Sequence, residues 1–116
     1  NSLGNVITGN AGDNLLDGRA GDDTLDGGAG IDILIGGEGH DTFVFKAGYG
    51  RDFVDGFTAG EDVIAFSTDL FADYAAAMAT AVQAGDDVVF AIDADTTLTL
   101  WNAQLSALTA DDFRFV

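Results

Sequence analysis

Glycine and aspartate recur every nine residues in the first half of the chain, and they are the residues there best suited to chemistry. Four consecutive nonapeptides cover residues 9–44, each with glycine at positions one and four and Asp or Asn at position six. Short carboxylates beside glycine turns supply oxygen ligands of the kind that calcium prefers, about six to eight at roughly 2.3–2.6 Å. The spacing therefore predicts a row of calcium sites, with these position-six ligands, partial copies included: Asn5, Asn14, Asp23, Asp32, Asp41 and Asp52.

The repeated glycines are predicted to complete the sites with backbone carbonyl oxygens. Glycine tolerates left-handed turns and lets carbonyl groups crowd inward without a clash at Cβ. Asp62 follows the last repeat, and with Asp55 it is a candidate for a further ion where the repeats end. The side chains of Asp17, Asp22 and Asp26 are expected on the solvated surface. The glycines predicted to line the metal sites are Gly9, Gly12, Gly18, Gly21, Gly27, Gly30, Gly36 and Gly39.

Nine residues are enough for one tight turn and one very short strand, so two repeats make one coil of a parallel β-roll. The apolar residue at position eight faces inward, which predicts that Leu16 stacks with Leu34, and Leu25 with Ile7 and Phe43. Position-six residues two repeats apart then become neighbours and share an ion. The predicted pairs are Asp23 with Asp41, Asp32 with Asp52, and, more weakly because an amide oxygen is neutral, Asn14 with Asp32 and Asn5 with Asp23.

The nonapeptide register ends near Gly60, and the rest of the chain has other patterns. Alternating apolar residues predict a strand over 62–67, and an alanine-rich stretch predicts a helix over 70–84, with Asp69 as N-cap and Gly85 as stop. Two β-branched runs, 87–93 and 96–101, predict a hairpin. We therefore expect a mostly β fold with one short helix, in which residues 1–58 form a roll and residues 59–116 form a cap, as one continuous unit.

The repeats resemble the RTX, or hemolysin-type, calcium-binding nonapeptides, whose pattern is G-G-x-G-x-D-x-U-x with U apolar. Segments 41–45, 55–67 and 105–115 resemble the region that caps the β-roll in serralysin-type proteases and other exoproteins exported by type I secretion. The resemblance implies a capped parallel β-roll that folds and is stabilised on binding several Ca²⁺ ions, an upstream domain in the parent protein, recognition by a type I (ABC) exporter, and a secreted, extracellular, bacterial location.

The acidic composition agrees with cations as partners. The chain has 20 acidic against 4 basic residues and a net charge of −16, which disfavours nucleic acid and anionic membranes. Neither an apolar run long enough for membrane insertion nor a cysteine is present, so disulfides and thiolate zinc sites are excluded. The sequence begins inside a repeat, so we expect the chain to be the C-terminal part of a longer protein.

No catalytic constellation is evident, so the chain is not predicted to be an enzyme. His40 is the only histidine, no HExxH motif surrounds it, and no serine lies in a G-x-S-x-G elbow. The parent protein could be a secreted hydrolase, such as a serralysin-type metalloprotease, or an epimerase. Two other readings stay open. One is a surface adhesion element. The other is a polysaccharide-binding module like those of alginate epimerases, for which only Arg19, Lys46, Arg51 and Arg114 supply positive charge.

Overall fold

The computed structural model describes residues 4–46, 48–68, 70–71, 73–92 and 96–116. Most of these residues lie in short strands and glycine-rich turns. The strands are β1 (Val6–Thr8), β2 (Leu15–Asp17), β3 (Thr24–Asp26), β4 (Asp32–Ile35), β5 (Thr42–Phe45), β6 (Arg51–Asp55), β7 (Val63–Phe66), β8 (Ala81–Ala84), β9 (Asp87–Ala91), β10 (Thr97–Leu100) and β11 (Phe113–Phe115). The helix α1 spans Tyr74–Met78, and 3₁₀ turns span Leu105–Ala107 and Ala110–Asp112.

Successive repeats place their strands alternately in two sheets, as expected of a β-roll. Within the described residues, one sheet has the order β1-β3-β5-β7-β11 and the other has the order β2-β4-β6-β10-β9-β8. Neighbouring strands are parallel along the whole first sheet and from β2 to β10 in the second. The fold prediction of a mostly β, parallel roll is confirmed.

The strand register confirms the predicted stacking of the position-eight residues. Leu25 pairs with Ile7 on one side and Phe43 on the other, while Leu34 pairs with Leu16. Val54 of the degenerate fifth repeat continues the second row beside Leu34. Leu25, Leu34 and Phe43 are no more than 1% exposed, so each coil buries its apolar residues against the next.

The cap extends both sheets and encloses an aromatic core. The predicted strand over 62–67 is confirmed as β7, and β11 pairs with it in parallel. Phe66, completely buried, makes ring contacts with Phe71, Phe90 and Phe113, at centroid distances of 5.0, 5.4 and 5.9 Å. Full burial of one such side chain contributes about 1.5–3 kcal/mol, so this cluster is a large part of the cap's stability.

The helix prediction over 70–84 was wrong in extent. Helix α1 is one short segment with Asp73 as N-cap, whose carboxylate accepts a hydrogen bond from Ala76 N at 2.9 Å. The chain then forms β8, which pairs antiparallel with β9. Pairing at a sheet edge here overrides the helix propensity of alanine. Gly85, at φ +64°, serves the turn between the two strands, and Asp69 lies outside the described residues.

The predicted hairpin and the end of the chain complete the cap. The hairpin is confirmed as β9 paired with β10, although residues 93–95 lie outside the described set. Asp112 is 2% exposed, and its carboxylate accepts hydrogen bonds from Gly60 N and Thr109 N, both at 2.8 Å. This contact links the end of the chain to the start of the cap. Among the described residues, no helix has the length and apolar character needed to span a membrane.

Candidate metal centre

The position-six residues form two ladders that run along the roll, one at each row of turns. The first ladder is Asn5, Asp23, Asp41 and Asp62, and the second is Asn14, Asp32 and Asp52. Between successive members of a ladder, the backbone N–H of one residue donates a hydrogen bond to Oδ1 of the next, at 2.8–3.1 Å. Each predicted pair is thus confirmed as a pair of spatial neighbours, whereas the sharing of an ion stays a prediction.

The second carboxylate oxygen of four ladder residues has no hydrogen-bond donor among the described residues. These are the Oδ2 atoms of Asp23, Asp32, Asp41 and Asp52, and each is completely shielded from solvent. The four side chains are at most 1% exposed. Burying a carboxylate without a compensating charge or donor is costly, so these oxygens require a cation or a proton.

The position-one glycines make room for these oxygens. A Cβ on Gly18 would lie 2.6 Å from Asp23 Oδ2 and 2.9 Å from the Gly36 carbonyl oxygen, which belongs to the turn one coil further on. A Cβ on Gly27 or Gly36 would lie 2.5 Å from the Oδ2 atom of the aspartate in the same repeat. Carboxylate and carbonyl oxygens from adjacent coils therefore meet where a side chain would otherwise stand.

The position-four glycines bring further carbonyls into the same gap. Gly21, Gly30 and Gly39 have φ values of 107°, 101° and 108°, a backbone region that residues other than glycine rarely adopt. A Cβ on Gly30 would lie 2.9 Å from the carbonyl oxygen of Gly12, at the matching position one coil earlier. The carbonyl oxygens of one turn therefore pack directly against the glycines of the turn one coil later.

Burial raises the pKa values of three ladder carboxylates, those of Asp41, Asp52 and Asp62. Burial, followed by the negative charge of Asp32, raises the pKa of Asp52 to about 8. Burial is also the main cause that raises the pKa of Asp41, to about 6, and the pKa of Asp62 is raised for the same reason. A divalent cation among these groups would favour the ionised forms instead.

The donor set fits calcium better than a transition metal. Within the described parts of the chain, no three His, Asp or Glu side chains converge as a metal-holding group. The aspartate positions of the ladders offer carboxylate oxygens beside backbone carbonyl oxygens, without thiolate or imidazole. Calcium accepts many oxygens in irregular geometry, whereas zinc prefers nitrogen and sulfur ligands in tetrahedral sites.

Asp62 differs from the other ladder aspartates. Its Oδ1 accepts a hydrogen bond from Asp41 N at 2.9 Å, and its Oδ2 accepts one from Thr58 N at 2.8 Å. Both oxygens thus have a donor. The prediction that Asp62 binds metal, with or without Asp55 at the end of β6, stays a prediction. His40 is exposed as expected, and the hydrogen bond between its Nδ1 and the Glu61 carbonyl raises its pKa.

The sequence analysis missed a second set of aspartate contacts, at positions five and nine. Asp13 and Asp22 accept hydrogen bonds from Ile31 N and His40 N, each donor lying eighteen residues later at 2.9 and 2.8 Å. Asp17 and Asp26, which end their strands, accept hydrogen bonds from the N–H groups of Arg19 and Gly28, two residues on. Asp17 and Asp22 are exposed as expected, but Asp26 is half-buried. The recurrence of Asp at positions five and nine of the first two repeats is the sequence feature from which these contacts could have been predicted.

The family model for the RTX calcium-binding nonapeptide repeat (4 copies) matches residues 1–34 and 20–51. Residues 1–51 of this chain are RTX repeats. The two matched ranges contain every ladder residue except Asp52 and Asp62, and every glycine predicted to line a site. Asp23, Asp32 and Asp41, the buried ladder carboxylates within the match, are thus position-six residues of RTX repeats.

Solved structures of similar fold extend the likeness over nearly the whole chain. The extracellular lipase LipA from Serratia marcescens shares 29% identity over 96% of this chain, with a TM-score of 0.71, and this chain spans only 21% of the lipase. The AlgE6R3 subunit of the Azotobacter vinelandii mannuronan C5-epimerase shares 29% identity over 97% of this chain and 78% of its own, with a TM-score of 0.61.

The AlgE6R2 subunit of the same epimerase supports the fold alone. It shares 24% identity over 94% of this chain and 91% of its own length, with a TM-score of 0.51. No curated protein sequence matches this chain significantly. The fold of this chain is therefore shared with part of a lipase and with subunits of an epimerase.

Proposed function

We propose that this chain is a calcium-binding RTX module that folds and is stabilised when calcium binds, at the C-terminal end of a secreted protein. The observation that carries the proposal is the set of four buried Oδ2 atoms that no described group satisfies. The Oδ2 atoms of Asp23, Asp32 and Asp41 each lie against the position-one glycine of their own repeat, where carbonyls of adjacent turns meet. A divalent cation there would supply the charge that these oxygens need.

The proposed sites lie between neighbours on the ladders. Asp23 and Asp41 would hold one ion and Asp32 and Asp52 another, each with carbonyl oxygens of the position-one and position-four glycines. Sites that include Asn5 or Asn14 would bind more weakly, because an amide oxygen carries no charge. These assignments rest on the backbone-to-carboxylate contacts that join the ladder members.

Calcium binding and folding of the roll would be thermodynamically linked. Without calcium, the buried carboxylates repel one another and are poorly solvated, so the roll is destabilised. A ligand that binds only the folded form stabilises it by RT ln(1 + [L]/Kd), about 2.7 kcal/mol per site at a concentration 100 times Kd. We infer that the roll unfolds readily in a low-calcium cytoplasm and is stably folded at the millimolar calcium outside the cell.

Calorimetric titration combined with circular dichroism tests the calcium function. Titrating calcium into chelated protein should give binding together with a gain of β signal. Asp41→Ala should weaken binding, because Asp41 lies between two ladder neighbours. Asp111→Ala is a matched control that removes an exposed carboxylate of the cap and should bind like the wild type. Equal losses in both variants, or no binding by the wild type, would contradict the proposal.

The proposed export by a type I system rests on the resemblance of residues 105–115 to the exporter-recognised region, and on the extracellular lipase of similar fold. Export of a reporter fused before the chain should fail when residues 111–116 are deleted. That deletion also removes β11, so Phe90→Ser, which replaces a completely buried ring outside residues 105–116, serves as a control that damages the folded cap but keeps the tail. If both variants are exported equally well, the tail is not the signal.

A second candidate function, binding of an anionic polysaccharide, is favoured by the similarity to the epimerase subunit over 97% of this chain. Arg19, Lys46, Arg51 and Arg114 are exposed and are the cationic residues for such a ligand. Binding of alginate oligomers in calcium, lost on Arg51→Gln, would support this function. Absence of binding at millimolar oligomer would exclude it.

A further inference from the structure

Asn14 places a nitrogen where the next three repeats place a carboxylate oxygen. A Cβ on Gly9, at position one of the same repeat, would lie 2.9 Å from Asn14 Nδ2. In the three repeats that follow, the corresponding atom beside the position-one glycine is Oδ2 of Asp23, Asp32 or Asp41, at 2.5–2.6 Å. The first repeat therefore has a hydrogen-bond donor at a place where the others have an acceptor without a partner.

The Asn14 nitrogen lies among four oxygens that come from both sides of the gap between coils. Nδ2 donates to the carbonyl oxygens of Asn10 and Gly12, in its own turn, at 3.1 and 2.7 Å. It also lies 3.3 Å from the Gly27 carbonyl oxygen and 3.0 Å from Asp32 Oδ1, both one coil further on. These are carbonyl and carboxylate oxygens of the same kinds that would surround calcium in the later repeats.

The orientation of the amide follows from these neighbours. An amide nitrogen carries two N–H donors, whereas an amide oxygen is only an acceptor. All four surrounding atoms are acceptors, so a reversed amide would place its oxygen against four other oxygens. The arrangement is therefore stable only with the nitrogen inward, where it satisfies carbonyls that would otherwise need a cation.

We propose that the Asn14 amide takes the place of a calcium ion between the first and third repeats. The proposal rests on the calcium function proposed above and goes further, because it replaces a weak site with no site. On the second ladder, the first ion after Asn14 then lies between Asp32 and Asp52. The turn that contains Asn14 is ordered without metal, and its position-six residue brings no negative charge that an ion must balance.

The first ladder begins in a related way. Asn5 donates through its backbone N–H and its Nδ2 to Asp23 Oδ1, at 2.8 and 3.1 Å. In both ladders an amide thus precedes the carboxylates. The coil that contains Asn5 and Asn14 is metal-independent, and the ion-dependent coils follow it.

The variant Asn14→Asp tests this assignment. It replaces the amide by a carboxylate of nearly the same shape, so it should add one calcium ion per chain in calorimetric titration. In metal-free buffer the same variant should be less stable than the wild type, because it adds a buried charge. Gln104→Glu is the matched control, since it makes the same chemical change at an exposed position of the cap. The control should alter neither the ion count nor the metal-free stability.

The reciprocal variant Asp23→Asn keeps the assignment testable if Asn14→Asp does not fold. It should lose one ion per chain and should raise the midpoint of urea unfolding in metal-free buffer, because an amide replaces a buried carboxylate. Asp23→Ala should lose the ion without that gain. An unchanged ion count in Asn14→Asp, or equal metal-free stability of Asp23→Asn and Asp23→Ala, would overturn the inference while leaving the calcium function intact. A wild-type chain that binds no calcium would remove the proposed function itself.

Discussion

The roll and the cap continue the same two sheets, but different interactions hold them together. Strands β3 to β6 of the roll bury one or two apolar side chains each, such as Leu25 and Leu34, and the roll also buries carboxylates. The cap instead packs aromatic rings around Phe66, with Phe90 and Phe113 in contact. Apolar burial stabilises a fold in any buffer, whereas buried carboxylates make stability conditional on a cation. We therefore expect calcium removal to destabilise mainly the roll. Mutation of the aromatic core should destabilise the cap whether or not calcium is present.

The largest expected effect is that of calcium removal on the roll. Two sites, each saturated 100-fold above Kd, would together contribute about 5 kcal/mol, which corresponds to a fall in melting temperature of more than about 10 °C. Hydrogen exchange in metal-free buffer should lose protection at Asp23 N and Asp32 N and retain it at the β9–β10 hairpin. Equal loss of protection in both regions would show that calcium stabilises the cap as much as the roll.

Truncation of the cap core should have the next largest effect and should not depend on calcium. Phe66→Ala removes a completely buried ring and should cost about 3–5 kcal/mol in the free energy of unfolding. Urea unfolding of this variant with and without calcium should show nearly the same loss relative to the wild type. Asp52→Asn should show the reverse pattern, destabilising only when calcium is present. A calcium-dependent loss in Phe66→Ala would contradict the comparison.

The pH dependence should change sign with calcium. Without metal, the folded-state pKa values of Asp41 and Asp52, about 6 and about 8, exceed the ordinary value of 3.8. Their protonated forms therefore favour folding below about pH 4, and this contribution is lost as pH rises through 6 and 8. Urea midpoints in metal-free buffer should fall between pH 5 and 8.5. In calcium they should rise over that range, because protons compete with the ion for the same oxygens.

The variant Asp52→Asn is the control for this titration. It removes the group with the higher pKa, so the metal-free midpoint should vary less above pH 7 than in the wild type. A metal-free midpoint that increases with pH in the wild type would show that the ladder carboxylates are not the groups responsible.

The smallest expected effect concerns a strained turn in the second repeat. Arg19 has φ +66° at position two, where the following repeats have Gly28 and Gly37, at 79° and 86°. Arg19→Gly should relieve this conformation and stabilise the roll by about 0.5–1 kcal/mol. Arg19→Ala keeps the Cβ atom and should give no gain. Equal stability of the two variants in calcium would exclude backbone strain as the cause.

The sequence predicted those features of the roll that depend on periodicity alone. A nine-residue spacing determines which strands share a sheet, so the pairing of Leu34 with Leu16 and of Asp23 with Asp41 could be predicted. The degenerate repeat containing Asp52 and Val54 could be aligned for the same reason. Period and spacing do not depend on distant parts of the chain, which is why this region was the more predictable one.

The features that could not be predicted depend on tertiary contacts or on single atoms. The alanine-rich stretch before Gly85 is a strand because β9 offers it a pairing edge, and propensity alone favoured a helix. The inward nitrogen of Asn14 and the second donor to Asp62 are atomic details that a repeat alignment treats as equivalent to the other position-six residues.

A crystal structure determined with ample calcium, using anomalous scattering to locate the ions, tests the central claim most directly. We expect ions between the turns, bound by Oδ2 of Asp23 and Asp32 with carbonyl oxygens from adjacent coils, and no ion beside Asn14. Glycine turns that contain no calcium next to these carboxylates at millimolar calcium would contradict the account.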